Sequence, residues 1–219
     1  MKNKNAILRW AAMLLLIPSF MQGQSLSAKA FFSSDTVSAV YLGIDFTLAK
    51  LINDDASYAK TIQSTQFNGI NDLMVHEAKK YDIQEAYHRI NWMVDLKEVE
   101  ARNDKADPDQ LKSSNEGDLT RLTIHDIDNL VEGFNYGSHR GYGVLLIMEA
   151  MSKSEKRCSI WFTLIDMNAK KVLTTARVEG KLGSGGFGFR NYWATAIKSA
   201  IHEVKSHEYA QWQSGADSK

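Results

Sequence analysis

The chain has 219 residues, with 26 basic and 26 acidic side chains, 44% apolar residues and a single cysteine. This composition excludes a disordered chain, because the sequence is too apolar and its charges balance. One cysteine also excludes an internal disulfide framework.

The first 30 residues have the three parts of a secretory signal peptide. Three basic residues and no acidic residue precede an apolar stretch at 11–17. Ala28-Lys29-Ala30 then has the small-x-small pattern of a cleavage site. The apolar stretch is shorter than the about 20 residues that span a bilayer, and no cysteine near the cut could accept a lipid. We therefore predict a periplasmic or secreted protein without stable membrane insertion after cleavage; an uncleaved anchor is the alternative.

Removal of residues 1–30 takes away four basic and no acidic residues, so segment 31–219 has four more acidic than basic groups. A mildly acidic chain without a dense Lys/Arg cluster lacks the charge that binds nucleic acid. The segment has the length of a single domain, which buries enough surface to fold without disulfides. We therefore expect Cys158 to be buried in a strand, with an intermolecular disulfide as the alternative.

The first half of this segment predicts two strands, a helix and a loop. Residues 37–46 are rich in β-branched and aromatic residues and apolar on both faces, as in a central strand. Apolar residues recur at helical spacing within 66–81. Residues 90–96 alternate as in a strand, although a helix that continues to 103 also fits, and the polar segment 103–118 predicts a loop.

The second half shows a clearer pattern. Residues 123–134 begin with a Thr-x-x-Asp capping pattern and predict a helix. Residues 142–151, 159–167 and 172–182 predict three strands whose short connections force antiparallel neighbours, and 191–212 predicts a closing helix. The order of elements predicts a single-domain α/β (α+β) sandwich. Its sheet would be mixed and mainly antiparallel, with about five strands, a C-terminal three-strand meander and helices packed on it.

Residues 183–188 match the G-x-G-x-x-G pattern of dinucleotide-binding folds. Such a site also needs a further parallel strand that ends in an acid about 20 residues later, whereas the acids at that distance lie in the predicted last helix. The glycines therefore predict a flexible turn. The alternative is an anion site in which Gly185, Gly186 and Arg190 act with the positive end of helix 191–212.

Other motifs fail on spacing or have simpler roles. His202 and His207 resemble a zinc-protease pair, but residues five apart differ by roughly 140° around a helix and cannot share a metal. Asp45 can cap the turn after the first strand or form a carboxylate pair with Asp166, whose simpler role is a hairpin turn. We predict no catalytic residue, metal or cofactor, and the candidate ligand-binding residues are Gly185, Gly186, Arg190 and Asp45.

Segment 158–181 has a strand that ends in Asp166, a short turn, a second strand and then Gly180. It resembles cell-envelope modules with the fold of the TolB amino-terminal domain, among them the curli-secretion lipoprotein and the penicillin-binding-protein activator lipoproteins. Segments 43–47 and 186–193 together are similar to an uncharacterised secreted family of Bacteroides-type bacteria. The chain lacks the anchoring cysteine of the lipoproteins, and the resemblances imply an envelope location without transferring any functional residue.

These observations predict an exported, non-enzymatic interaction module of the cell envelope, whose protein partner binds through a sheet edge or through loop 103–118. One alternative is a small-molecule-binding or anion-binding protein, or an enzyme, that uses loop 183–190 with Arg190 and a carboxylate at Asp45 or Asp166. Another is a structural protein that self-associates through exposed tryptophans.

Overall fold

The computed structural model describes residues 26–55 and 57–215. The strands in this part of the chain are β1 (Ala39–Asp45), β2 (Lys50–Ile52), β3 (Trp92–Val94), β4 (Lys112–Ser113), β5 (Tyr142–Ser152), β6 (Arg157–Asp166) and β7 (Lys171–Lys181). The helices are α1 (Ala28–Phe32), α2 (Ala59–Thr61), α3 (Phe67–His76), α4 (Ile83–Ala86), α5 (Lys97–Asn103), α6 (Ile124–Glu132), α7 (Gly188–Glu203) and α8 (Tyr209–Ser214). The π-helical segments Ile62–Gln66 and Val204–Glu208 join α2 to α3 and α7 to α8.

The described strands form one sheet that is curled into a half-barrel around β5. β1 and β2 pair in parallel with one side of β5, β1 with its first half and β2 with its last residues. β6 pairs antiparallel with the other side of β5. β3 pairs with β1, β4 pairs with β2, and β7 pairs with β6. Four of these six pairings are parallel.

The prediction of a mainly antiparallel sandwich is therefore wrong, although the α/β class fits and β5, β6 and β7 form an antiparallel meander. The direction of a strand depends on the path of its connection, which its own residues do not encode. Short turns reverse the chain in the meander, whereas the long helical connections before β3 and β5 return it to the same end of the sheet. The burial of β1 on both faces is typical of strands in parallel sheets.

Helices cover both faces of the sheet and create two large apolar cores, and a small third cluster consists of Ile52, Leu119 and Ala150. On one face α1, α3, α7 and α8 close the larger core, to which the strands contribute Leu146 and Phe162. On the other face α6 closes a smaller core with Leu145 and Trp161. Because neighbouring strand residues point to opposite faces, β5 and β6 need apolar residues at nearly every position.

Several local predictions are confirmed. α6 begins with the predicted capping box, in which Thr123 Oγ1 accepts a hydrogen bond from Asp126 N and Asp126 Oδ2 accepts one from Thr123 N. Both alternatives for the segment around 90–103 are partly right, because the short strand β3 is followed directly by α5. The predicted loop 103–118 is only partly right, because it contains the two-residue strand β4, which the sequence does not predict, and the 3-10 turns Pro108–Gln110 and Glu116–Thr120, the second of which runs past its end.

Part of the predicted signal peptide lies in the folded structure. Residues 1–25 are outside the described residues, but Ser27 caps α1 by accepting a hydrogen bond from Ala30 N. A cut after Ala30 would remove the cap and the first three residues of α1 and would leave Phe31, whose side chain is fully buried, as the first residue. N-terminal sequencing of the exported protein would locate the cut: a start at Phe31 agrees with the predicted site, and a start at or before Ser27 keeps α1 intact.

Candidate functional site

Asp45 ends β1 and is fully buried. Its Oδ2 accepts a hydrogen bond from Arg102 Nε at 2.6 Å, and its Oδ1 accepts hydrogen bonds from Thr47 N at 2.8 Å and Thr47 Oγ1 at 2.5 Å. The carboxylate therefore caps the turn after β1, as the sequence predicts, and also neutralises Arg102. With these partners and no exposed surface, it is not accessible to a ligand.

Asp166 does not join Asp45 in a carboxylate pair. Its Oδ1 accepts a hydrogen bond from Asn168 N at 2.8 Å and holds the predicted hairpin turn. Along β5, Asp166 is level with Tyr142 at the beginning of the strand, whereas Asp45 is level with Ile147. Asp166 therefore lies two strands away from β1 and level with its first residue, whereas Asp45 is its last residue, and this separation excludes a shared catalytic role.

The glycine-rich segment 183–188 forms the turn that the sequence predicts. At Gly185 φ is +99°, and no neighbouring atom lies within 4 Å of the position that a Cβ would occupy. At Gly186 an added Cβ would lie 2.5 Å from the carbonyl oxygen of Asn191, so this close approach to α7 requires glycine. Glycine is needed at position 185 because of the positive φ, and at position 186 because a side chain would clash with α7.

Arg190 lies against α3. Its guanidinium occupies the space over Gly69 that a Cβ there would fill, and its Nη2 donates a hydrogen bond to Thr65 O at 3.3 Å. Within the described ranges, no hydrogen bond or ion pair connects Arg190 with Asp45 or with the glycine turn. The four candidate residues are thus not assembled into one site by direct contacts, and an anion site at the loop alone stays a prediction.

The carboxyl end of β1 is the place where ligands bind in many open parallel sheets, because successive connections leave there to opposite faces. In this protein the chain itself fills that crevice, since the turn after Asp45 leads into β2, which pairs with β5 where β1 stops. A pocket of about 240 Å³ remains beside the turn. Two polar groups of its wall are already engaged, because Lys50 Nζ donates to Gln110 O and Gln63 Nε2 donates to Asn103 O.

Two buried asparagines complete the outer side of β1. β3 pairs with β1 only as far as Tyr41. Beyond that point Asn71 Oδ1 accepts a hydrogen bond from Ile44 N at 2.7 Å, and its Nδ2 donates to Ile44 O at 2.9 Å. Asn103 Oδ1 accepts one from Phe46 N at 2.8 Å. These amides supply the hydrogen bonds that a longer β3 would supply, and the sequence offers no signal for them beyond an asparagine on the apolar face of a helix.

Glu149 is a fully buried acid at a β-bulge in β5. Its Oε2 accepts hydrogen bonds from Ser159 Oγ and Trp161 Nε1 at 3.0 Å and from Arg177 Nε at 2.8 Å, and its Oε1 accepts one from Leu122 N at 2.5 Å. This network ties the meander to the segment before α6. Its only sequence signal is a single acid inside an otherwise apolar strand.

The buried acids therefore support the fold. In addition to the pairs of Asp45 and Glu149, buried Asp54 pairs with Lys153 at 3.2 Å. Within residues 26–55 and 57–215, no group of three His, Cys, Asp or Glu side chains could hold a metal ion.

Cys158 is buried in β6, as predicted, and its thiol is free. Burial raises the pKa of this thiol to about 12, so the reactive thiolate is scarce at neutral pH. We expect no reaction of the native protein with Ellman's reagent at pH 8 and one equivalent after unfolding in guanidinium. Rapid labelling of the native protein, or a disulfide-linked dimer on a non-reducing gel, would contradict the burial of this residue.

The sheet has one outer strand that is protected by charges. β7 is 11 residues long and pairs only with β6. It carries Lys171, Arg177, Glu179 and Lys181, and charged side chains on an outer strand oppose pairing with other chains.

β3, an outer strand on the other side of the sheet, exposes apolar side chains instead of charged ones. Met93 and Val94 are 56% and 41% exposed, and Ile90 just before the strand is 62% exposed. Large apolar side chains that are exposed together mark an interaction site more often than isolated ones do. We call residues 90–95 the β3 edge.

The main chain of the β3 edge is also open. Asn91 O and Asp95 N bond to β1, with Asp95 N donating to Tyr41 O at 3.0 Å. Because alternate residues of a strand direct their main-chain groups to the same side, those of Trp92 and Val94 face away from β1. In the part of the chain that the structure describes, these outward groups have no main-chain or side-chain hydrogen bond. The β3 edge thus combines free hydrogen-bonding groups with exposed apolar side chains.

No protein-family model and no curated protein matches this chain. None of the helices in the described ranges has both the length and the apolar character needed to cross a bilayer. On its geometry, the β3 edge is the candidate functional site.

Proposed function

We propose that this chain is an exported, non-enzymatic module of the cell envelope that binds an extended segment of a partner protein along the β3 edge. The observation that carries the proposal is the outward-facing main chain of Trp92 and Val94 beside exposed apolar side chains. The periplasmic or secreted location rests on the predicted signal peptide. The engagement of the buried carboxylates in the fold supports a binding role rather than a catalytic one.

The β3 edge suits the addition of a strand. An added strand hydrogen-bonds to the main chain, which supplies affinity, while pockets for alternate side chains supply specificity. The ring of Trp92 stacks on Tyr41 with centroids 5.8 Å apart, so β3 is held in place before binding, and a rigid site loses less entropy on association. A groove of about 700 Å³ beside Trp92 and Met93 offers space for a partner's side chain.

We expect Val94→Pro to abolish partner binding and to leave the fold intact. The N–H of Val94 faces outward, and proline is tolerated in an outer strand whose N–H faces solvent. The matched control is Met93→Pro, which removes the N–H that faces β1 and should destabilise the fold by about 1–3 kcal/mol, the typical cost of an unsatisfied buried group. Thermal unfolding of both variants measures this difference.

Photo-crosslinking in intact cells of the source organism tests partner binding. With benzoylphenylalanine at Met93, we expect one discrete cross-linked product that disappears when Val94→Pro is added. The same probe at Tyr58, which is 82% exposed and outside the β3 edge, should give no such product. Equal products from both positions, or a product that persists with Val94→Pro, would contradict the proposal. A product of twice the chain mass would make the partner a second copy of the chain.

A further inference from the structure

A second surface lies where β7 ends against α7 and the segment that follows α3. It is an open groove of about 540 Å³, separate from the β3 edge. Its apolar part includes Leu182, which packs against the larger core, and Ile201, which is 5% exposed. The basic side chains that line it are Lys80, Lys181, Lys198, His202 and Lys205.

The groove is positively charged in a chain that has equal numbers of basic and acidic residues. Lys80 and Lys205 already have partners outside the groove, with Lys80 at 2.9 Å from Glu77 and Lys205 at 3.2 Å from Glu85. Lys181 and Lys198 have no carboxylate within 4 Å among the described residues. These two ammonium groups are therefore available to an anion.

One acid, Asp82, also lines the groove and offsets part of this charge, so the groove keeps an excess of basic side chains. Asp82 Oδ1 accepts a hydrogen bond from Glu85 N at 2.9 Å and caps α4. The hydroxyl of Thr195 is also engaged, because its Oγ1 donates to Tyr192 O at 2.8 Å and accepts from Gly183 N at 3.0 Å. The groove therefore offers two free cations and apolar surface, with few free groups for a neutral polar ligand such as a sugar.

We propose that this groove binds a free single-chain anionic amphiphile, of the class of long-chain carboxylates. Lys181 and Lys198 hold the acid group, and the chain lies along Leu182, Ile201 and the aliphatic stems of the lysines, which cover apolar surface while their charged ends stay in water. This proposal places the anion in the groove beside the glycine-rich turn, and not on the main-chain amides of the turn. Gly183 is the residue of the turn that lines the groove.

Isothermal titration calorimetry with dodecanoate, below its micelle concentration, tests this proposal on the protein purified from the cells that export it. Dodecyl maltoside has the same chain without the charge, and butyrate has the charge with a short chain. We expect dodecanoate to bind at least about tenfold more tightly than either, because only dodecanoate uses both the cations and the apolar surface. Equal affinity for dodecyl maltoside, or no binding of dodecanoate, would overturn the proposal.

The double variant Lys181→Gln/Lys198→Gln should weaken dodecanoate binding about tenfold, since two exposed charge contacts are lost. The matched control is Lys60→Gln/Lys171→Gln, which removes two exposed lysines outside the groove and should leave the affinity unchanged. An equal loss in both double variants would show a general charge effect and overturn the site. Binding to anionic phospholipid vesicles without binding of monomeric dodecanoate would replace the proposed ligand with a membrane surface and also overturn it.

Discussion

Replacement of Glu149 by Ala is expected to lower the free energy of unfolding by about 3–5 kcal/mol, the typical cost of removing one member of a buried ion pair. The substitution leaves Trp161 Nε1, Ser159 Oγ and the main-chain N of Leu122 without their acceptor. It also leaves the guanidinium of Arg177, whose side chain is 29% exposed, without its counter-charge. Unsatisfied buried donors add to the loss of the ion pair.

Urea unfolding monitored by tryptophan fluorescence measures this effect. The matched control is Glu155→Ala, because Glu155 pairs with Arg157 at 3.8 Å and is 48% exposed. A surface pair contributes about 0–1 kcal/mol, so the control should differ little from the unmodified protein. Similar losses in both variants would show that the Glu149 network does not stabilise the fold in the way proposed.

Gly43→Ala is expected to cost about 2–5 kcal/mol of unfolding free energy, for two separate reasons. At Gly43 φ is +97°, which costs a residue with a Cβ roughly 1–2 kcal/mol. The new Cβ would also lie 2.6 Å from Val99 Cγ1 and 2.9 Å from Leu96 Cδ2, and overpacking a core costs about 1–3 kcal/mol. The residue lies at the bulge where the pairing of β1 with β5 shifts register.

Gly185→Ala is the matched control, because φ at Gly185 is +99° and no neighbouring atom lies within 4 Å of the added Cβ. It should cost only the backbone part, roughly 1–2 kcal/mol. The difference between the two variants measures the packing of β1 against α5. If both substitutions lowered the melting temperature equally, α5 would not press on β1 as the structure describes.

Local patterns in the sequence predicted the features that depend on neighbouring residues. The capping box of α6 needs only Thr123 and Asp126, three positions apart. The meander needs only short turns between β5, β6 and β7, such as the one that Asp166 holds. Because these interactions join residues close in the chain, spacing alone predicts them.

The partners of the candidate ligand-binding residues are distant in the chain and could not be predicted in the same way. The sequence makes Asp45 a candidate ligand-binding residue because it ends a strand, but its partner Arg102 comes from α5, 57 residues later. Arg190 lies two residues after the glycine-rich segment in the sequence, whereas its side chain extends to α3. A side chain in a turn or helix can reach several neighbours, and only the packing of the elements selects one.

The sequence by itself determined the long strands β1, β5, β6 and β7, the start of α6 and the burial of Cys158, because periodicity and composition express these properties directly. It did not predict the short elements β2, β4, α1, α2 and α4. The tertiary structure alone decided that most strand pairings are parallel, that Glu149 is matched by Arg177, and that β3 is the apolar outer strand. The physical reason is that strand order and direction follow from the path of long helical connections. That path determines which apolar strand remains at the edge with its hydrogen-bonding groups unpaired.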